Sequence, residues 1–480
     1  MKNRAFSRTK VVCTIGPASQ SLATLKNLIR LGMDVARLNF SHGSREDHGR
    51  TIENIRIATA LLQEPVSIMQ DLGGPKMRIR ELAAASVELK PKSTIRITPD
   101  NVLGSNERIS TTYENLPSDV KPGDTILLDD GKIRLRVEKI EGKDVVCRTI
   151  VGGLLLPRKG MNLPGIAVSA PSLTEKDKED LLFGLGSDID YVALSFVRTA
   201  DDIVALRDFI AAHGKQGRRV PIIAKIEKPE AIDNIEAIIR ESDGIMVARG
   251  DLGVELPTDE VPMLQKMIVR KCNEVGKPVI IATQMLESMV ENPGPTRAEA
   301  SDVANAVFDG ADAVMLSAET SVGKYPVQSV EMMDRILRTT EEGVSQEQYD
   351  LWANRAVHAD AYDAMSHSAC LLAKDLKASA IIALTHSGAT AASVAKFRPR
   401  PHIIAVTDSE EIRRRLNLVW GVRSMIVEDL KKDTDAAFKM IRERLLAEGE
   451  IQRGDVIVTL AGIPLFEGLP TNTIKVDRVE

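Results

Sequence analysis

The chain has 480 residues, too many for one ordinary hydrophobic core, and its length predicts roughly two to four domains. Apolar residues make up 43% and charged residues 27%, and the net charge of −5 is spread without a basic arm or stripe, which argues against nucleic acid as a partner. No apolar run reaches the roughly 18 residues of a membrane span, and the basic N-terminus MKNRAFSRTKVVCTIGP lacks the apolar segment of a secretory signal. Cys13, Cys147, Cys272 and Cys370 are far apart and form no CxxC, so they read as reduced thiols of a cytoplasmic protein.

In chain order, short β-branched runs recur, each ending in a polar cluster. They are KVVCTIGP from Lys10, DVARLNFSHG from Asp34, VSIMQDLGG from Val66, YVALSFV from Tyr191, PIIAKIE from Pro221, GIMVARGDLG from Gly244, PVIIATQM from Pro278 and DAVMLSAET from Asp312. Amphipathic stretches such as SLATLKNLIRLG and TADDIVALRDFIAAHG separate most of them. Continuous apolar strands are those of parallel sheets buried on both faces, and eight strand–helix units predict a (β/α)8 TIM barrel over 1–72 and 169–340.

The rhythm breaks after Asp71. Alternating segments such as KIRLRVEKIEGKDVVCRTIVGG, with Gly, Pro and Asp turns, predict hairpins of two-faced strands. Residues 73–168 are therefore expected to form a small β-barrel inserted after the third strand, as a lid on the barrel's C-terminal end. From 341 to 480, SAIIALTHSG, HIIAVTD, SMIVED, DVIVTLAG and TNTIKV predict an open α/β domain with a mostly parallel sheet.

In (β/α)8 barrels, functional residues gather at the C-terminal ends of the strands. Here those ends supply Pro17; Asn39, Ser41 and His42; Asp71; Ser195; Lys225 and Glu227; Arg249, Gly250 and Asp251; Thr283 and Gln284; Ser317 and Glu319, with Arg37 one step back. Any one polar strand end is unremarkable where a chain leaves a core; it is their convergence on one rim that points to a site. Lys225 and Glu227 are two apart on a strand and face the same way. Glu227 and Asp251 on adjacent strand ends suit one Mg2+, which takes one or two protein carboxylates plus substrate oxygens. Spacing alone equally allows a plain Lys–Glu pair and a helix N-cap. Amides at the RGDLG turn, Lys225 and Arg37 together describe a site for an anionic small molecule. The chain has no GxxxxGK[ST] loop and no kinase-type GxGxxG.

The segments TIGPAS, ARLNFSHG, DLGGPKMR, KGMNLPG, AKIEKPEAI, VARGDLGVE, ATQMLESM and DAVMLSAETSVGKYP resemble, in order, the signature segments of the pyruvate kinase family, across nearly the whole chain. The short N-terminus resembles bacterial members. The resemblance implies phosphoryl transfer from phosphoenolpyruvate to ADP, the final step of glycolysis, with Mg2+ or Mn2+, in a cytoplasmic homotetramer with a C-terminal regulatory domain. Lys225 then matches the lysine that stabilises the transferring phosphoryl group and the enolate. Glu227 and Asp251 match the Mg2+ ligands, and Arg37 the substrate-phosphate arginine. Gly250, Asp251 and Thr283 match the groups at the substrate carboxylate and at the face where C3 is protonated. Arg78 and Lys159 match nucleotide-phosphate contacts; Pro17, Asn39 and His42 lie where the family places adenosine. Two other readings are a different Mg-dependent phosphoenolpyruvate or pyruvate barrel enzyme (a lyase or mutase) and a non-catalytic metabolite sensor. The first has no reason to carry this lid and third domain; the second would be expected to lack Lys225, Glu227 or Asp251.

Two departures within the resemblance carry expectations. The family's K+ pocket corresponds to Asn39, Ser41, Asp71 and the Leu72 carbonyl, and K+-dependent members have glutamate where this chain has Lys76. An ammonium there supplies the positive charge, with Asp71 as a possible partner, so K+ is expected to be dispensable. The bland alternative is an exposed lysine at the lid hinge. In LTHSGATAASVAKF, Thr385, Ser387 and Thr390 with free amides form an expected phosphate cradle for an effector. Members activated by fructose bisphosphate resemble TKSGRS there and carry a later RPGSG-like loop. His386, Ala389 and GIPLFEGLP here point instead to a sugar monophosphate or nucleotide effector, or to weak regulation.

Overall fold

The computed structural model describes residues 7–166, 168–215, 218–355, 357, 360–427, 434–465 and 469–480. The first three barrel strands are β1 (Lys10–Thr14), β2 (Met33–Asn39) and β3 (Ser67–Asp71). The intervening lid carries β4 (Val87–Leu89), β5 (Thr94–Thr98), β6 (Arg108–Ser110), β7 (Thr125–Leu128), β8 (Ile133–Glu141), β9 (Asp144–Val151), β10 (Gly153–Leu155) and β11 (Met161–Asn162). The barrel resumes with β12 (Tyr191–Leu194), β13 (Ile222–Ile226), β14 (Gly244–Ala248), β15 (Val279–Ala282) and β16 (Ala313–Leu316). These eight strands close into one ring in which β3 pairs with β12, so the lid leaves the barrel between neighbouring strands.

The barrel strands are buried along their length: every residue of β1, β3, β13 and β14 is buried. That is why they read as continuous apolar runs. The surrounding helices start where side chains satisfy orphan amides. Ser44 with Asp47, Thr174 with Asp177, and Thr296 with Glu299 form capping boxes. Gly32, at φ 112°, ends the first helix, Leu22–Leu31, in a left-handed conformation that a residue with a Cβ rarely adopts.

The lid's main sheet has the order β11-β7-β8-β9-β5-β6, and β4 pairs with β10 as a separate ribbon. Strand β8 alternates buried and exposed residues from Ile133 to Glu138, as the sequence pattern required. The six strands do not close by a full ladder. Single bridges, Arg78 to Gly160 and Ile79 to Thr111, join the two edges through the segment that enters the lid. Its core, from Ile79 to Val168, is separate from that of the barrel.

The C-terminal sheet has β17 (Ala380–Leu384), β18 (His402–Thr407), β19 (Val422–Ile426), β20 (Val456–Ala461) and β21 (Thr473–Arg478), in the order β19-β18-β17-β20-β21. Only β21 is antiparallel. The last two residues of SMIVED lie outside the described residues. Among the described residues, no helix is long and apolar enough to cross a membrane.

Candidate active site

The floor of the site is a chain of buried charges running from β1 to β13. Thr14 and Arg37 are register partners, and Arg37 Nη1 donates to Thr14 Oγ1 at 2.8 Å. Arg37 Nε donates to Asp71 Oδ2 at 2.6 Å. Arg37 Nη2 has no protein partner among the described residues, which leaves an N–H edge for an anion. The other oxygen of Asp71, Oδ1, is 3.3 Å from Lys225 Nζ. Lys225 Nζ also lies 2.8 Å from Glu227 Oε1 and donates to Ser195 Oγ at 2.7 Å. Burial works against the charge on Lys225, but Asp71 and Glu227 outweigh it, and its pKa is raised. Burial likewise pushes Asp71 up, and Arg37 and Lys225 pull it below the ordinary carboxylate value.

Glu227 Oε2 accepts from the Phe196 amide at 2.8 Å, so the carboxylate is fixed from two sides. Asp251 lies in the first turn of the Arg249–Glu255 helix. Burial, and then the charge of Glu227, push its carboxyl up to about 6. Two carboxylates brought together at the barrel mouth, one of them desolvated and pushed up by the other's charge, are a donor set that favours a cation. Glu227 and Asp251 are therefore suited to hold Mg2+ with substrate oxygens and water. Among the described residues, no group of three or more His, Cys, Asp or Glu is placed to hold a metal.

Thr283 Oγ1 accepts from the Gly250 amide at 2.8 Å and donates to the Ala282 carbonyl at 2.6 Å. The Gly250 amide was expected to face a substrate oxygen; Thr283 occupies it instead. Phe196, Thr283 and Gln284 have φ of 56°, 70° and 56°, so non-glycine residues at the ends of β12 and β15 take left-handed backbone. Such strain persists only where the surroundings fix it, and here it lies at the barrel mouth. Arg249 and Glu319 follow the bland reading. Arg249 binds Asp302 at 2.7 Å, and Glu319 accepts the Leu286 and Ser317 amides.

Above the floor, a cleft of about 250 Å³ opens between lid and barrel; Lys76, Arg78 and Lys159 line it with Phe196, Arg198 and Asp251. Lys159 is held by Asp129 at 2.8 Å, and Arg78 Nη1 donates to the Arg158 carbonyl at 3.1 Å. Pro17, Asn39 and His42 do not line this cleft. Partial burial, then Lys76, Arg78 and Arg37, hold the His42 imidazole below its ordinary pKa, which places it within electrostatic reach of these cations.

The Lys76–Asp71 pair that the sequence allowed does not form. Both Asp71 oxygens already face Arg37 and Lys225, and Lys76 makes no ion pair among the described residues. Lys76 keeps a solvent-exposed side, yet the protein around its ammonium, and then Lys225, lower its pKa against Asp251, Glu227 and Asp71. Two other oxygens of the expected cation pocket also have donors, while Ser41 Oγ accepts no hydrogen bond among the described residues. Asn39 Oδ1 accepts from the Ser41 amide at 3.1 Å, and the Leu72 carbonyl accepts from Ser195 Oγ at 2.8 Å.

Two of the cradle amides, those of Gly388 and Ala389, are taken up by the loop's own hydroxyls. Thr385 Oγ1 accepts from the Gly388 amide at 2.9 Å, and Ser387 Oγ from that of Ala389 at 3.5 Å. Hydroxyls of a short loop satisfy their own backbone in this way. Thr390 Oγ1 is 3.0 Å from both Tyr362 Oη and Thr471 Oγ1. A cavity of about 390 Å³ adjoins the loop. Phe466, Glu467 and Gly468 of GIPLFEGLP lie outside the described residues.

Sequence reasoning placed Ser195 at a strand end but gave it no role, and it missed Thr14. Both act across neighbouring strands, which only the register reveals.

Two family models match: the pyruvate kinase barrel domain over residues 6–330 and the pyruvate kinase alpha/beta domain over 363–477. The chain is 46% identical to a pyruvate kinase of Geobacillus stearothermophilus, over 98% of this chain and 80% of the relative. It is 44% identical to one of Clostridium acetobutylicum, over 99% of this chain and all of the relative, and 45% identical to one of Mycobacterium tuberculosis, over 98% of each. A crystal structure of a pyruvate kinase from Cryptosporidium parvum superposes with a TM-score of 0.92 at 38% identity, covering 99% of this chain and 96% of that one.

Proposed function

The chain belongs to the pyruvate kinase family and transfers the phosphoryl group of phosphoenolpyruvate to ADP, and from that premise we propose how its own residues divide the work. The observation that carries the assignment is Lys225 Nζ, buried and ringed by Asp71, Ser195 and Glu227. An ammonium held charged in a dry site stabilises the negative charge of the transferring phosphoryl group and then of the enolate. Arg37, braced by Thr14 and Asp71, presents its open edge to the substrate phosphate. Gly250, Asp251 and Thr283 border the substrate carboxylate and the face where C3 is protonated. Glu227 and Asp251 would hold Mg2+, which would supply Lewis-acid neutralisation of phosphoryl oxygens. Arg78 and Lys159 meet the nucleotide phosphates, with Pro17, Asn39 and His42 toward adenosine. The lid keeps water from taking the phosphoryl group. A coupled assay for ATP from ADP and phosphoenolpyruvate with Mg2+ tests the reaction; a lyase, a mutase or a non-catalytic sensor forms none.

Pyruvate kinases use Mg2+ and K+. The reading of K+ as dispensable here is supported by the protein donors on Asn39, Asp71 and Leu72, and by the ammonium of Lys76 near the same carboxylates. Lys76 then acts through space and not as a pair with Asp71. The functional division is 1–72 with 169–340 for catalysis, 73–168 for the lid and 341–480 for regulation, which the separate cores support. The Thr385–Thr390 loop binds the phosphate of a sugar monophosphate or nucleotide effector, whose oxygens replace the loop's own hydroxyl acceptors. Effector titration at low phosphoenolpyruvate tests this, and strong activation by fructose bisphosphate overturns it. The working form is a cytoplasmic homotetramer, checked by light scattering.

A further inference from the structure

The lid is fastened to the barrel at both hinges. At the entry, the Gly74 amide donates to Asp177 Oδ1 at 3.2 Å. At the exit, the Arg198 guanidinium donates to the carbonyls of Val168 and Ala170. Away from the hinges, among the described residues, one hydrogen bond joins lid to barrel: Asn162 Nδ2 to Glu255 Oε1 at 3.2 Å. Asn162 ends β11, at the edge of the main lid sheet, three residues after Lys159. Arg78 is bridged to Gly160 on the same edge. Moving Asn162 therefore moves both cleft cations with it.

Glu255 sits where such a contact has consequences. It ends the seven-residue Arg249–Glu255 helix, one turn from Asp251. Its side chain is 1% exposed, and Oε1 also accepts from Lys228 Nζ at 2.6 Å. Lys228 follows Glu227 directly. Each proposed metal ligand thus has a near neighbour in one buried cluster, and Asn162 is the lid's member of it. Glu255 Oε2 is buried without a partner, so the carboxylate keeps a second acceptor for a lid that shifts.

We propose that Asn162 is a positioning residue for the nucleotide: its hydrogen bond to Glu255 registers the lid edge so that Arg78 and Lys159 meet the phosphates of ADP. This rests on the assignment of Arg78 and Lys159 to the nucleotide. The long side chains of those cations span many geometries, and one fixed point on the rigid barrel removes most of them before ADP arrives. Lys228 supplies the counter-charge that makes the buried Glu255 tolerable. Phosphoenolpyruvate meets the strand ends below, which do not ride on the lid, so its binding is little affected.

The test is steady-state kinetics of the full-length enzyme with Mg2+, varying ADP and phosphoenolpyruvate separately. Asn162→Ala raises KM for ADP by about fivefold or more, while KM for phosphoenolpyruvate stays within about twofold and the thermal midpoint is unchanged. Asn162→Leu, which fills the space without a donor, gives the same result and stands in if the alanine variant fails to fold. In a Lys228→Met/Glu255→Met background, which removes acceptor and counter-charge together, Asn162→Ala has no further effect. Lys159→Met separates the underlying reading: if it leaves KM for ADP unchanged, the nucleotide assignment fails and the proposal with it. If Lys159→Met raises KM for ADP and both Asn162 variants leave it unchanged, the lid contact alone is overturned. A fall in kcat and thermal midpoint with both KM values unchanged marks a purely structural residue and also overturns it.

Discussion

At the N-terminal ends of the barrel strands, polar side chains are taken up by the C-terminal domain. Ser67, which opens β3, donates to the Arg414 carbonyl. Asp190, just before β12, is paired with Arg414 at 2.8 Å and with Arg56 at 2.8 Å. Asp312, just before β16, is paired with Arg398 at 2.8 Å, and that guanidinium lies 4.6 Å over the Trp420 ring. At the opposite ends of these strands or their neighbours stand Asp71, Ser195, Lys225 and Glu227. The residue types are similar and the burial is similar. The difference lies in the partners. Below, Asp190 meets one arginine of the barrel and one of the C-terminal domain, and Asp312 meets an arginine of the C-terminal domain. Above, Lys225 is shared by two carboxylates, Glu227 and Asp251 repel one another, and Arg37 keeps an open edge. Arg398 also keeps Nε and Nη1 without partners among the described residues, but it is sealed between domains; a partly paired charge is available to a ligand only where it faces the open end of the barrel.

Substitutions at the two ends are therefore expected to move different observables. The largest effect is at the lower end. Arg398→Met leaves buried Asp312 with its Val279 amide and the more distant charge of Arg355 but no direct ion pair, and breaking such a pair typically costs about 3–5 kcal/mol. The expected outcome is a clear drop in thermal midpoint, with turnover of the folded fraction little changed. Arg398→Met with Asp312→Asn recovers much of the loss. A variant that keeps its midpoint but loses turnover would reverse the assignment of the two ends.

Next in size is Lys225→Met. It is expected to lower phosphoryl transfer by at least about 100-fold, since a preorganised charge in a dry site is commonly worth a few kcal/mol. Substrate still binds through Arg37. The thermal midpoint falls less than in Arg398→Met, because Asp71 keeps Arg37 and Glu227 keeps the Phe196 amide. Near-normal turnover in the folded variant removes Lys225 from the mechanism. A midpoint loss equal to that of Arg398→Met removes the contrast between the ends.

What could be read before the structure follows the same division. The barrel was legible because parallel strands buried on both faces write themselves as unbroken apolar runs. The lid was legible from the alternation in β8. The polar residues at strand ends were legible as a set, since each simply follows its strand. Their partners were not. Ser195 reaches the Leu72 carbonyl because Ala193 pairs with Asp71 across β12 and β3. Thr14 braces Arg37 because β1 and β2 place them side by side. Register is a property of two strands together, and no local pattern encodes it. The Asn162–Glu255 contact is more distant still, joining a lid strand to a barrel helix across 93 residues. The Lys76–Asp71 pair that the sequence allowed is absent for the same reason: spacing put them near one turn, and Asp71 is held by Arg37 and Lys225 across the strands.

The smallest expected effect concerns that lysine and tests how sharply the upper end is defined. An anionic pocket made of Asp71 and a nearby glutamate requires a monovalent cation; here the floor already holds Arg37 and Lys225 against Asp71, and Lys76 adds a third positive charge within reach of Asp251 and Glu227. A fixed K+ beside these groups meets the repulsion of three cations while giving up hydration. The wild type is thus expected to be active without K+ or NH4+, and KCl at constant ionic strength changes its rate by less than about twofold. Lys76→Glu restores the anionic pocket and is expected to make the rate depend on K+ by about tenfold, the ~1.4 kcal/mol of a modest charge reversal near a solvent edge. Both are read in one titration of KCl against choline chloride. If the wild type loses more than about 90% of its rate without K+, more than 1.4 kcal/mol of transition-state stabilisation, and regains it on addition, Lys76 is an ordinary hinge lysine. The upper end then binds its cations from solution and not from the chain.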